Sequence, residues 1–390
     1  MRTMWYLNDE RALIQQAARD FAQNELAPIA LEMDASEEFP LKQFKRAGEL
    51  GFLGITIPEE YGGSGADYTS LALVYEEIAK VAPTLCVGMG AHSILAGELI
   101  MLLGNDEQKK RWLAPAATGE KILACAQTEP SGDTNQTEWT CRAVDDGDSF
   151  IVNGEKIFCS NLKVADAYVV LCVTSDHVDP VTKAGISAIV IDADTPGLSC
   201  GAYEKKLGWH GSASGSLTFN DCRVPKENLL GPLGGGLAGL MISATNEFMT
   251  CGPVGLGMAE GAYEMALKQT RERIQRGKSL YDNYQVVRHM LVDMWTQIES
   301  LRGFVYTTFA EKDEGKKCLA KGRLMKVQGA LTAEYVGRQA IQLFGGLGVC
   351  TEVGVERFWR DAKVMCIGGA ALEALKDDVA MMIGNNIQDA

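Results

Sequence analysis

Hydrophobic periodicity changes twice along this chain, and that double change limits the folds open to it more than any other feature. To about residue 120 the apolar residues recur at helical spacing. Leu13, Ile14, Ala17 and Phe21 mark one face of a helix over 9–24, with Asn8 placed to cap it. Further helices are predicted over 41–50, 68–81, 93–104 and from 105 to 113, the first of these stopped by Gly51. From 121 to 232 the pattern becomes short and alternating. Strands are expected at 150–154, 167–174, 185–191 and 216–219, parted by Asp, Gly, Asn and Pro. Beyond 233 long amphipathic stretches return, over 237–276, 284–313, 316–344 and 371–383. Four long helices with short connections predict a bundle. The expectation is a mainly α protein in three parts: an all-α domain over 1–120, a middle β-barrel or small sandwich over 121–232, and a helical bundle over 233–390.

Charge and composition narrow the function classes. The 37 Lys and Arg against 51 Asp and Glu leave a net charge of -14, which opposes non-specific binding to nucleic acid. No apolar run is read as a membrane span. The first residues lack a basic segment followed by an apolar one, so no secretory signal is expected and a cytoplasmic protein is the simplest reading. Eleven cysteines are scattered without a CxxC pair or a Cys/His spacing suited to zinc. They are expected to be buried thiols, and no metal site is predicted.

Several segments carry chemistry. The first is Thr128-Glu129-Pro130-Ser131-Gly132-Asp133-Thr134-Asn135, followed by Asn153 to Asn161 with Phe158 and Ser160. By themselves these are turns beside strands. Lys206-Leu207-Gly208-Trp209-His210-Gly211 comes next, then Arg273-Ile274-Gln275-Arg276-Gly277. Gln342-Leu343-Phe344-Gly345-Gly346-Leu347-Gly348 is a Gly-rich turn of the kind that lets backbone N–H groups approach an anion. Arg357-Phe358-Trp359-Arg360-Asp361 and Ile367-Gly368-Gly369-Ala370-Ala371-Leu372-Glu373 close the series.

In order and spacing these segments resemble the acyl-CoA dehydrogenase family, over nearly the whole chain. The resemblance implies FAD as cofactor. Thr128 and Thr134 would serve the flavin and pyrophosphate, Phe158 and Ser160 the ring, in positions where Trp and Thr are more usual. Asp133 departs from a usual Gly. Arg273 would grip the pyrophosphate across a subunit interface, as a guanidinium fork suits. Gln342, Gly345 and Gly346 would meet the adenine half, and Glu373 matches a family glutamate near the flavin. A homotetramer, an acyl-CoA substrate and electron-transfer flavoprotein as acceptor are implied as well.

One family feature is absent. The catalytic glutamate of the commonest form falls on Gly369. The family reaction removes the proton next to a thioester and passes a hydride from the next carbon to flavin. It needs a carboxylate and hydrogen-bond donors to the thioester oxygen. Gly369 keeps its N–H for the second task. Some relatives carry the base on the first long helix of the bundle, and that position matches Glu247 here. Phe248 follows it where Arg is usual. His92, Phe248 and Gly368 are assigned to the acyl pocket. The room at Gly368-Gly369 is expected to admit a branched or cyclic acyl group. His92 reads equally as a residue of helix start. Alternatives stay open: an enoyl-CoA reductase running in reverse, or a desulfinase, which would want an arginine absent from 84–95. A flavin-binding regulatory protein is opposed by the charge.

Overall fold

The structure, a computed structural model, describes residues 5–132, 136–179 and 184–385. Helix α1 (Asp9–Phe21) starts where Asn8 accepts a hydrogen bond from the N–H of Arg11 at 2.8 Å, with acidic residues in its first turn. Helix α2 (Leu41–Glu49) buries Phe44 and Ala47. Helix α3 (Tyr68–Ala79) is capped by Asp67, whose carboxylate accepts from the N–H of Ser70, and is buried along nearly its whole length. A continuous helix follows, α4 (Pro83–Leu103), with a π-helical stretch over Gly90–Gly97. By length and hydropathy α4 could cross a bilayer, contrary to the sequence reading, yet 72% of its apolar window is buried inside the protein. It is a core helix.

Among the described residues the middle region forms an eight-stranded sheet, twice the number of strands expected. Its strands are β1 (Leu123–Ala126), β2 (Arg142–Asp146), β3 (Ser149–Ser160), β4 (Ala167–Val173), β5 (Ile186–Asp192), β6 (Leu198–Tyr203), β7 (Ser214–Pro225) and β8 (Leu229–Leu230). They run in the order β6-β7-β3-β2-β4-β5-β8, with β1 parallel to β4. The strands missed by periodicity are polar or very short. Strand β6, for example, has no fully buried residue. Strand β3 slips register against β7 between Lys156 and Cys159. Phe158 lies in that bulge with φ +54, so the irregularity re-aims its side chain.

The C-terminal region contains α5 (Gly236–Glu272), α6 (Gln285–Asp313), α7 (Leu319–Phe344), α8 (Glu356–Met365) and α9 (Leu372–Gly384). Helix α8, read from sequence only as a motif, is an additional element. Helix α5 stops short of the expected 276 because Ile274–Gln275 pairs with Lys278–Ser279 in a small hairpin. Arg276 and Gly277 turn that hairpin with φ +52 and +78, the sign that a tight hairpin turn requires. Helices α5 and α7 touch backbone to backbone. A Cβ on Gly255 would stand 2.3 Å from the carbonyl oxygen of Gly329, and one on Gly329 the same distance from that of Cys251. All eleven cysteines are free thiols, and all but Cys200 and Cys350 are buried.

Candidate active site

A cavity of about 720 Å³ lies where the three regions meet. Helix α4 supplies one wall with Cys86, Val87, Gly90, Ala91 and Leu95; Thr128, Phe158 and Ser160 supply another. Glu247, Thr250, Cys251 and Val254 enter from α5, and Gly368 and Gly369 from the turn after α8. A concave, largely apolar space with a few convergent polar groups is the common form of a small-molecule site.

Glu247 and Gly369 meet in it. A Cβ built on Gly369 would stand 3.1 Å from Glu247 Oε1 and 3.2 Å from Lys326 Nζ, and the residue has φ +78. The space that a side chain at 369 would need is thus filled by a carboxylate from another helix. Glu247 is half-buried by accessible surface, but the surface it exposes faces the interior cavity rather than bulk water. Burial therefore pushes its carboxyl above the ordinary value, and Lys326 opposes that shift. A carboxyl held in this way can take or give a proton nearer neutrality than a free glutamate.

The expected room at Gly368-Gly369 is largely occupied. Trp209 lies over Gly368, where a Cβ would come within 2.8 Å of its ring. Trp209 has φ +54, and its N–H donates to Asp361 Oδ1 at 2.6 Å. Burial raises the Asp361 carboxyl to about 6. His210 pairs with Asp34 at 3.2 Å and contacts the Lys206 carbonyl oxygen at 2.9 Å, a structural junction between regions.

Two residues assigned to the acyl pocket face elsewhere. Leu123 N–H donates to His92 Nδ1 at 2.8 Å, so Nε2 carries the proton and donates to the Ala116 carbonyl oxygen at 3.0 Å. Both ring nitrogens are satisfied, the residue is 1% exposed, and burial lowers its pKa to about 4. His92 sits inside α4, not at a helix start, and ties α4 to β1. Phe248 follows Glu247 by one helical step, which turns it about 100° away. Its ring packs in the helix interface, 5.5 Å from Lys326 Nζ.

The expected cofactor residues divide into two groups. Thr128, Phe158 and Ser160 line the cavity, and Phe158 is 63% exposed toward it. Thr134 lies outside the described residues. Arg273, Gln342, Gly345 and Gly346 are exposed and form no part of the cavity wall. Arg273 Nη1 donates to the Phe344 carbonyl oxygen at 3.2 Å and lies 3.3 Å from where a Cβ on Gly345 would be. Glu373 is exposed in the first turn of α9, two residues beyond the wall residue Ala371.

Sequence reasoning missed the charged support beneath these loops. Glu129 and Lys156 form an ion pair of 2.8 Å with both side chains fully buried. Glu129 also accepts from the N–H groups of Thr140 and Cys141, and Lys156 donates to the Gln127 carbonyl oxygen at 2.9 Å. The Trp139 ring lies 4.1 Å from the ammonium. Opposite charges in the two cavity-loop motifs were the available signal. Lys326 was missed too, although Gly322 and Gly329 bracket it on α7 and let that helix approach α5. Among the described residues no group of acidic, His or Cys side chains forms a metal site.

Comparison with known proteins agrees across the chain. Residues 8–120, 124–222 and 234–384 match the family models described as acyl-CoA dehydrogenase N-terminal, middle and C-terminal domains. The short-chain specific acyl-CoA dehydrogenase of Clostridium acetobutylicum is 39% identical over 360 residues, covering 92% of this chain and 93% of that protein. The caffeyl-CoA reductase-Etf complex subunit CarC of Acetobacterium woodii is 34% identical, covering 93% and 95%. The solved butyryl-CoA dehydrogenase of Megasphaera elsdenii superposes with a TM-score of 0.92 at 32% identity, covering 97% of this chain and 98% of that one. With this similarity along its whole length, the chain belongs to the acyl-CoA dehydrogenase family.

Proposed function

We propose that this protein is an FAD-dependent dehydrogenase that converts an acyl-CoA thioester to the α,β-enoyl thioester, with Glu247 as the base. The observation that carries the reading is the contact between Glu247 and Gly369 at the cavity. It brings a desolvated carboxylate to a turn whose backbone N–H can also serve the thioester oxygen. Glu247 takes the α-proton, the C–H electron pair moves toward the thioester oxygen, and the Gly369 N–H stabilises the charge that develops there. Bound FAD supplies the acceptor for the β-hydride. The cavity residues fit such a group: Phe158 offers an exposed aromatic face beside the hydroxyls of Thr128 and Ser160. Arg273, Gln342, Gly345 and Gly346 are set apart from that wall, which suits contribution to a second copy's cofactor in a homotetramer. The two-part arrangement, electron-transfer flavoprotein as acceptor and the individual residue roles belong to this reading.

A branched or cyclic acyl group is favoured by α4 rather than by Gly368-Gly369. Val87, Gly90 and Ala91 present small side chains, and a Cβ on Gly90 would meet nothing within 4 Å.

Anaerobic titration of the yellow protein with saturated acyl-CoA thioesters, butyryl-CoA among them, should bleach the flavin. The rate should fall as pH drops through the raised pKa of Glu247, because only the carboxylate accepts a proton. Glu247→Gln should keep FAD and slow reduction by about 10²–10⁴-fold; an unimpaired variant removes Glu247 from the mechanism. Similarity to a caffeyl-CoA reductase subunit supports a second reading, reduction of an enoyl-CoA. There Glu247 would deliver the proton, and reoxidation of the reduced flavin by enoyl-CoA without bleaching by any saturated thioester would favour it.

A further inference from the structure

Lys326 is a fully buried lysine, 0% exposed, on α7. It forms no ion pair with a carboxylate among the described residues. Its ammonium donates to the carbonyl oxygen of Gly368 and lies 3.2 Å from where a Cβ on Gly369 would be. Burying a cation without a carboxylate partner is costly, so its position calls for a reason.

The peptide geometry supplies one. The Gly368 carbonyl and the Gly369 N–H belong to one planar trans unit, in which the two groups point in opposite directions. Holding the carbonyl on the α7 side directs the N–H away from α7. Gly369 has φ +78, in a turn where a glycine unit would otherwise reorient readily. Donation to the carbonyl also polarises the same peptide and strengthens its N–H as a donor.

The second consequence concerns Glu247. The titratable groups that act electrostatically on Glu247 are Tyr75 from α3, Cys125 from β1, Cys251 on its own helix and Lys326 from α7, while Cys86, Glu129, Lys206 and Lys363 line the same cavity. Burial raises the Cys125 and Cys251 thiols to about 12 and the phenol well above its usual value, so all three are neutral near pH 7. Lys326 is the basic member of the set acting on Glu247, and it is the group that draws the Glu247 carboxyl down against burial.

We propose that Lys326 is a positioning residue for the α-proton step, aiming the Gly369 N–H at the thioester oxygen through the Gly368 carbonyl while its ammonium sits beside the Glu247 carboxylate. The proposal rests on the reading of Glu247 and Gly369 given above.

The test uses the flavin-loaded enzyme and two infrared signals that need no turnover. The Glu247 carboxyl stretch, assigned by its loss in Glu247→Gln, is followed against pH. The thioester C=O stretch of bound crotonyl-CoA, an enoyl probe, is compared with that in solution. In Lys326→Met the Glu247 midpoint should rise, by about tenfold or more in proton affinity, and the downshift of the crotonyl stretch should shrink. Lys326→Gln keeps a donor without charge. It should move the midpoint while retaining more of the downshift, and it serves if the Met variant fails to fold. Lys326→Arg should restore both signals. An unchanged midpoint and stretch in folded Lys326→Met or Lys326→Gln would overturn the proposal, even with lowered stability. If Glu247→Gln still reduces its flavin with butyryl-CoA, the base assignment fails, while the crotonyl-CoA signal still judges Lys326.

Discussion

Glu247 and Gly369, far apart in sequence, share one small volume: the carboxylate oxygen Oε1 lies 3.1 Å from where a side chain at 369 would begin. A carboxylate reaching in from α5 and a bare backbone at 369 are two parts of one arrangement. Either alone would leave a buried charge without room or a hole without a base.

Gly369→Ala tests that arrangement directly. The left-handed backbone costs a non-glycine residue roughly 1–2 kcal/mol, and the new methyl would press on both Glu247 and Lys326. A modest fall in melting temperature should accompany a loss of about 10²-fold in flavin reduction, as expected when a reacting group is displaced by an ångström. Wild-type reduction rates in stopped-flow traces would mean the contact carries no functional weight.

His92 should reveal itself through pH, not through substrate choice. Its folded pKa lies near 4 against an ordinary 6.5, so between those values the unfolded chain binds the proton and the folded protein does not. Stability present above 6.5 is therefore lost as pH falls toward 4, by about 3 kcal/mol at most. His92→Gln should lower stability at neutral pH yet flatten this slope, read from urea midpoints across the range. Glu98 and Asp361, also displaced by burial, titrate in both proteins, so the difference isolates His92. A changed acyl-chain preference in the variant would instead place His92 against substrate.

Removing either half of the Glu129–Lys156 pair leaves a buried charge unmatched. Lys156→Met or Glu129→Gln should destabilise the protein by about 3–5 kcal/mol. Because Glu129 and Lys156 brace the segment carrying Thr128, flavin should also dissociate more readily, measured as free flavin after gel filtration. Tight flavin retention in a destabilised variant would separate the pair from the cofactor loops.

Local signals in the chain were enough for the order of helical, sheet and helical regions, since periodicity and turn residues act over a few positions. The cap at Asn8 and the long helices α5, α6 and α7 were legible for that reason. Strand β6 and the hairpin after α5 were not, because their pairing is decided by partners distant along the chain or by one turn's φ values. Motif resemblance named Thr128, Phe158, Ser160, Glu247 and Gly369, which line one cavity. It also named His92 and Phe248, whose side chains turn into the core, because a helix shows which residues it carries and not which neighbour each will face. The filling of the Gly368-Gly369 gap by Trp209 and Glu247, and the burial of Lys326 beneath it, exist only once α5, α7 and the turn after α8 are packed. Burial and proximity are properties of that packing, and they set the charge state of the site.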